Sequence, residues 1–264
     1  MSDGAVGDEL STSLDVATKL GTLEEGRWVL GLYVGAAEAG GTFQSALKRK
    51  PVDRGRRGEA RDPERSAEQA TRRAGTAIRR YAASNRLNRL GTLTYAVACH
   101  DQELLRDDVA EFFRNLREFL GEPFPDLWVP EWHPGGHGLH VHFAVGRYIR
   151  HGQIKAAWGR GFVHIKLLGD IPIGQGSLGE ARQAARYLAK YVVKDLHTER
   201  ILGFHRYECA QGFRPRVERI VARSSSAAVA EASERMGGWP NIIWQSREAE
   251  RWFGPPAVWA SWNQ

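Results

Sequence analysis

Two histidines two positions apart, His140 and His142 in the run Leu139-His-Val-His-Phe-Ala-Val145, carry the clearest chemical meaning in this chain. Residues i and i+2 of a strand point to the same face, so both imidazoles fall on one side while Val141 and Phe143 fall on the other. Imidazoles paired in this way are metal ligands. A third donor follows from the hairpin that would hold them. Pairing about a turn centred near Gly135 and Gly136 sets Glu131 opposite His140, with Cβ atoms about 5 Å apart; a bulge in the loop would shift this register by one. Two imidazoles and one carboxylate leave positions open for water and a phosphate oxygen, which is a catalytic arrangement rather than a closed structural one. With nine His in 264 residues, a His-x-His pair arises by chance roughly 0.3 times, so the pair alone also fits two half-exposed strand histidines. His133 shares the face of Glu131, His137 sits in the turn as a candidate DNA contact, and His164 reads as an ordinary strand residue.

A second set lies in Tyr187-Leu-Ala-Lys190-Tyr191-Val-Val-Lys194. At about 100° per residue, Tyr187, Lys190, Tyr191 and Lys194 share one helical stripe about 100° wide. Ala185, Leu188, Ala189, Val192, Val193 and Leu196 fill the opposite side and account for the core without the tyrosines. Tyr and Lys at a helix margin also fit simple snorkelling. The chemical reading is nucleophilic attack on phosphate: a phenol with a pKa of about 10 is a poor nucleophile when neutral. A neighbouring ammonium favours the phenolate, and a divalent metal polarises the phosphodiester. Tyr187 and Tyr191, one turn apart, would allow two successive cleavages, with Lys190 and Lys194 assisting by charge.

These groups need a scaffold of strands and helices. The sequence predicts strands over 90–98, 126–132, 139–145 and 162–167, and helices over 63–87, 107–120, 151–158, 177–196 and 224–236. Pro130 marks its strand as an edge or a bulge. Hairpin turns between neighbouring strands point to an α+β fold, an antiparallel central sheet with flanking helices. Four parts are expected: an N-terminal extension over 1–47, partly mobile; a basic linker and Arg-rich helix over 48–89; the main domain over 90–200; and a Trp-rich C-terminal extension over 201–264 packed on it.

The composition, 42% hydrophobic and 26% charged, excludes collagen-like, mucin-like and wholly disordered chains. No apolar run approaches the ~20 residues of a membrane span. The first ten residues contain three acids and no Lys or Arg, so no secretory signal is expected and the location is read as cytoplasmic. Cys99 and Cys209 form no CxxC pair. The net charge of +6 is concentrated: 48–89 holds fourteen Lys or Arg against five acids, a segment suited to a polyanion such as DNA. A solvated linker with surface arginines, or a GC-rich genome, accounts for the same excess. Arg72, Arg73, Arg79, Arg80, Arg86 and Arg89 are the candidate DNA-binding residues.

In order and spacing these motifs resemble the HUH endonucleases, specifically the two-tyrosine rolling-circle replication initiators of phages and plasmids. Gly91-Thr-Leu-Thr-Tyr95 is similar to that family's first motif, Leu139-His-Val-His142 to its metal motif and Tyr187–Lys194 to its nucleophile motif, over roughly 85–200. Gly203-Phe-His-Arg-Tyr-Glu208 also has the flavour of such initiators. The resemblance implies a ferredoxin- or RRM-like nuclease fold and Mg²⁺ or Mn²⁺ held by Glu131, His140 and His142. It implies site-specific nicking and joining of single-stranded or hairpin origin DNA through a 5′-phosphotyrosine, with host helicase and DNA polymerase as partners. The chain lacks both an N-terminal cysteine cluster and a GxxxxGK[ST] loop, so no fused helicase is expected and unwinding is expected to come from a partner. Alternatives are a relaxase or transposase of the same superfamily, a non-catalytic Arg-rich DNA-binding protein, and a zinc hydrolase of a small molecule.

Overall fold

A computed structural model describes residues 26–47, 62–133, 135, 137–167, 176–194, 206–250, 252 and 254–263. The mobile start expected at the N-terminus and the basic loop over 48–61 lie outside these, except for the segment from residue 26 to 47. The chain is α+β, with two five-stranded antiparallel sheets. It divides into two compact units, one of 54–216 and one combining 1–53 with 217–263. The first holds 27 Lys and Arg against 18 Asp and Glu, a formal +9, which leaves the second at −3. No helix among the described residues is long and apolar enough to cross a membrane.

In the 54–216 unit the strands are β3 (Arg89–Tyr95), β4 (Asp126–Trp132), β5 (Leu139–Val145), β6 (Gly161–Leu167) and β7 (Glu208–Cys209), in the order β6-β3-β5-β4-β7. Alternation sorts their side chains onto two faces. One carries Leu93, Trp128, Val141, Phe143 and Val145 against Phe112, Phe113 and Leu116 of α2 (Gln102–Leu120) and Ile154 and Trp158 of α3 (His151–Trp158). The other carries Leu90, Leu127, Val129 and Ala144 against Ile78, Tyr81 and Ala82 of α1 (Pro63–Ser84) and Ala184, Ala185 and Leu188 of α4 (Gly176–Lys194). Helix ends follow local chemistry. Asp62 caps α1 by accepting the Arg65 N–H at 3.0 Å, with Pro63 in the first turn. Asp101 accepts the Glu103 and Leu104 N–H groups at the start of α2, and Gly121 at φ 71° ends it.

The β4–β5 hairpin decides where chemistry can occur. The His133 N–H donates to the Gly138 carbonyl at 2.9 Å, which fixes the phase of the ladder. Glu131↔His140 is then a hydrogen-bonded pair, and Pro130↔Val141 a pair whose N–H groups point away from each other. Pro130, lacking an N–H, therefore costs β5 no bond, and β7 pairs only with Leu127 and Trp128 on the outer side. Gly138 closes the turn at φ 79°, where a Cβ would lie 2.5 Å from the Cys99 carbonyl oxygen, so glycine is required both by backbone and by space.

The other unit holds β1 (Gly26–Tyr33), β2 (Glu38–Ser45), β8 (Glu218–Ala222), β9 (Ile242–Gln245) and β10 (Ala257–Ser261), in the order β8-β1-β2-β10-β9, with α5 (Ser225–Met236) packed on it. Separate N- and C-terminal extensions are expected from the sequence; the pairing joins the described parts of both in one sheet. Gly31, Gly40 and Gly41 interrupt the alternation that marks a strand, and Gly41 is needed because a Cβ there would sit 2.0 Å from the Val29 carbonyl oxygen. Among the tail tryptophans, Trp262 is buried within this unit and donates its Nε1–H to the Gly238 carbonyl at 2.7 Å.

Candidate metal centre and nucleophile helix

Register alone brings the three donors together. Glu131 faces His140 across the hairpin, and His142 follows two residues on, on the same sheet face. Glu131 Oε2 lies 3.0 Å from His140 Nε2 and 2.8 Å from His142 Nε2, and the two Nε2 atoms lie 3.1 Å apart. All three residues are buried. With an ionised carboxylate, hydrogen bonds alone do not satisfy this triangle. If both imidazoles donate to the carboxylate, their N–H groups oppose each other; if one does not, its lone pair opposes a carboxylate lone pair. A cation at the centre removes the conflict. Thr92 on β3 pairs with His142, and its Oγ1 lies 3.1 Å from His142 Nδ1. Accepting the Nδ1–H would leave the Nε2 lone pair directed at the carboxylate. The distances also suit an ion: two ligands at right angles about a cation with bonds of about 2.1 Å are about 3.0 Å apart. Among the described residues this Glu-His-His group is the one cluster of three or more that could hold a metal ion.

The candidate nucleophile helix, α4, meets the same face. Along α4, Leu178, Ala181, Ala184, Ala185 and Leu188 are buried, a small-residue stripe that lets the helix lie close to α1 and the sheet. Tyr187 stands at the flank of that stripe, partly buried. Its ring centroid is 6.2 Å from that of His142, the planes at 87°. Lys190 is exposed. The side chains of Tyr191 and Lys194 lie outside the described residues, as does the 195–205 segment. Tyr81 and Tyr95 are unsuited to attack: burial pushes both phenols well above their ordinary value, and the Tyr95 hydroxyl is tied to Asp108 at 2.8 Å.

The remaining candidates scatter. Arg72 and Arg73 are exposed, and Arg79 and Arg80 half-buried, on the side of α1 opposite its buried stripe of Thr71, Ala74, Ile78 and Tyr81. Arg72 pairs with Glu68 at 3.7 Å one turn back, and Arg86 and Arg89 also have local partners. The Arg86 guanidinium donates to the Ala83 carbonyl at the end of α1, and Arg89 donates to Asn88 and lies over the Tyr148 ring. His137 is exposed in the turn, 5.1 Å ring to ring from His133, which is itself 5.8 Å from His140.

Cross-strand rows show what sequence reading missed. Glu131, His140, Thr94 and Phe162 form one row across β4, β5, β3 and β6; Val129, His142, Thr92 and His164 form the next. Thr92 therefore touches His142, a candidate metal ligand, and Phe162 and His164 share the face of the Glu131, His140 and His142 cluster two strands away. The Thr-x-Thr alternation of β3 was the available signal for the first; the pairing of β3 with β6 had none.

Residues 88–196 match a family model for replication-associated proteins of the ORF2 type. The match spans 109 of the 264 residues and contains Thr92, Glu131, His140, His142, Tyr187 and Tyr191. It supports a replication-initiator role. No curated protein and no solved structure matches the chain.

Proposed function

We propose that this protein is a rolling-circle DNA replication initiator that nicks and rejoins one strand at a specific site. The observation that carries this reading is the approach of Tyr187 to His142, 6.2 Å between rings, beside the converged Glu131, His140 and His142 donors. One phosphate lying there would touch both. The donor set fits Mg²⁺ or Mn²⁺, which when bound supplies Lewis-acid polarisation of the scissile phosphate.

The chain's own groups perform the transfer. Tyr187 Oη attacks phosphorus and gives its proton to water; the P–O3′ bond breaks as the P–Oη bond forms, and the departing 3′ oxygen takes a proton from water. The products are a 5′-phosphotyrosine and a free 3′-OH that a polymerase can extend. Because the ester keeps the phosphodiester's bond type, attack by a 3′-OH reverses the step without ATP. Lys190, exposed and three residues on, offers its positive charge to the phosphate. Tyr191, one turn further along α4, is the second nucleophile, with Lys194 in the same supporting role. Thr92 orients His142, and the outward arginines of α1, Arg72, Arg73, Arg79 and Arg80, hold DNA by its backbone. Host helicase and polymerase complete the replication step.

The test is incubation with labelled single-stranded origin DNA and Mn²⁺. The expected product is a protein–DNA adduct that survives denaturation, absent with EDTA and in the Tyr187→Phe, Tyr191→Phe double variant. An adduct that persists in the double variant overturns the tyrosine assignment.

A further inference from the structure

The sheet face that carries the metal ligands continues past them. α1 and α4 cover it at Leu90, Leu127, Val129 and Ala144, but at β6 the side chains that face this way are open. Phe162 is 72% exposed and His164 is exposed, whereas their strand neighbours Val163 and Ile165 point the other way and pack on the α2–α3 core. Phe162 is therefore not needed for packing, although it is paired within the ladder opposite Thr94 in the row of His140 and Glu131. Thr92 and Thr94, half-exposed, form a low floor between the histidines and β6. Two strand spacings separate β6 from β5, about 10 Å, or some three stacked-base rises of about 3.4 Å.

We propose that Phe162 and His164 form a binding platform for single-stranded DNA beside the scissile phosphate, Phe162 stacking on a base and His164 contacting the backbone. An aromatic face accepts any base, which suits a segment that must be held unpaired while its neighbour is cut. The occupant is nucleic acid rather than protein because the platform is continuous with the metal face and belongs to the unit of formal charge +9, the other unit being at −3. The position of the platform relative to the cut rests on the nicking reading; the binding itself does not.

The test uses the full chain, EDTA to prevent any metal-dependent step, and fluorescein-labelled dT20 in an anisotropy titration. Phe162→Ala is expected to weaken binding by about 5- to 150-fold, the range for loss of one stacked base. Phe162→Trp retains affinity, and His164→Ala weakens it by a smaller factor. Both positions are exposed, so the variants keep their thermal transitions. A dT20 strand carrying 5-iododeoxyuridine crosslinks to the β6 peptide on irradiation. Unchanged affinity in Phe162→Ala, no binding by the unmodified chain, or a Phe162→Ala effect confined to self-association in sedimentation overturns the proposal. The two readings fail separately. An unmodified chain that forms the covalent adduct while Phe162→Ala binds dT20 normally removes the platform alone. A chain with no adduct but a Phe162-dependent affinity removes the nicking alone.

Discussion

Replacing Thr92 by Val tests whether the metal centre is prepared by its neighbour or only by the hairpin. Val keeps the branched shape and strand preference of Thr and removes one oxygen. In the structure that oxygen lies 3.1 Å from His142 Nδ1. When Nε2 ligates a metal, the neutral ring carries its proton on Nδ1, and Thr92 is the acceptor for it. Without that acceptor the ring loses its preferred tautomer and orientation, and a buried N–H is left without its bond. Loss of such a partner typically lowers metal affinity 10- to 100-fold, equivalent to about 1.4–2.7 kcal/mol. The assay is a Mn²⁺ titration followed by the spin-resonance signal of the free ion, on unmodified protein, Thr92→Val and Thr92→Ser. Ser keeps the oxygen and is expected to stay close to the original affinity. Equal Mn²⁺ affinity in all three, with folding intact by circular dichroism, would refute the role given to Thr92.

Further outcomes follow from the same geometry. Mn²⁺ at 100 times its Kd stabilises the folded state by about 2.7 kcal/mol, a rise in Tm of about 5–10 °C for a unit of this size, and Glu131→Gln, His140→Ala or His142→Ala abolishes the rise in calorimetry. Gly138→Ala meets both a left-handed backbone and the Cys99 carbonyl, whereas Gly121→Ala at φ 71° meets nothing within 4 Å; the first is expected to cost more than the ~1–2 kcal/mol of left-handed strain alone and to lower Mn²⁺ affinity, the second only the strain, as read by urea titration. Asp126 is buried, which pushes its carboxyl up to about 7 although Arg117 pulls it down. The folded chain therefore holds a proton between about pH 4 and 7 that the unfolded chain releases, and stability falls as pH rises through that window, by at most about 1.4 kcal/mol per pH unit. Asp126→Asn removes this contribution to the slope, measured as urea midpoint against pH.

The hairpin was legible because its information is local. Polar His140 and His142 alternate with Val141 and Phe143, the turn is rich in glycine, and the offset from Glu131 is short, so the register follows from counting and agrees with the observed Glu131↔His140 pair. The body of α2 was equally readable, since Val109, Phe112, Phe113 and Leu116 declare one face, although the helix begins at Gln102 rather than at the expected 107. The second sheet was not. β1 and β2 pair through Gly31, Gly40 and Gly41, and their outer partners β8 and β10 lie near the other end of the chain, so neither alternation nor turn chemistry reveals them. Phe162 and His164 were opaque for a related reason. Their position relative to His140 and His142 depends on β3 pairing with both β5 and β6, a relation carried by two separate long-range ladders. Charge counting is likewise silent on local partners: the Arg86 guanidinium donates to the Ala83 carbonyl and that of Arg89 to Asn88.

The most direct measurement of the central claim is mass spectrometry of the covalent product formed with single-stranded origin DNA and Mn²⁺. The expected product carries a nucleotide attached through its 5′-phosphate to the α4 peptide, on Tyr187 or Tyr191. A nucleotide carried by any other residue, or strand cleavage with no attached nucleotide in the presence of bound Mn²⁺, would contradict it.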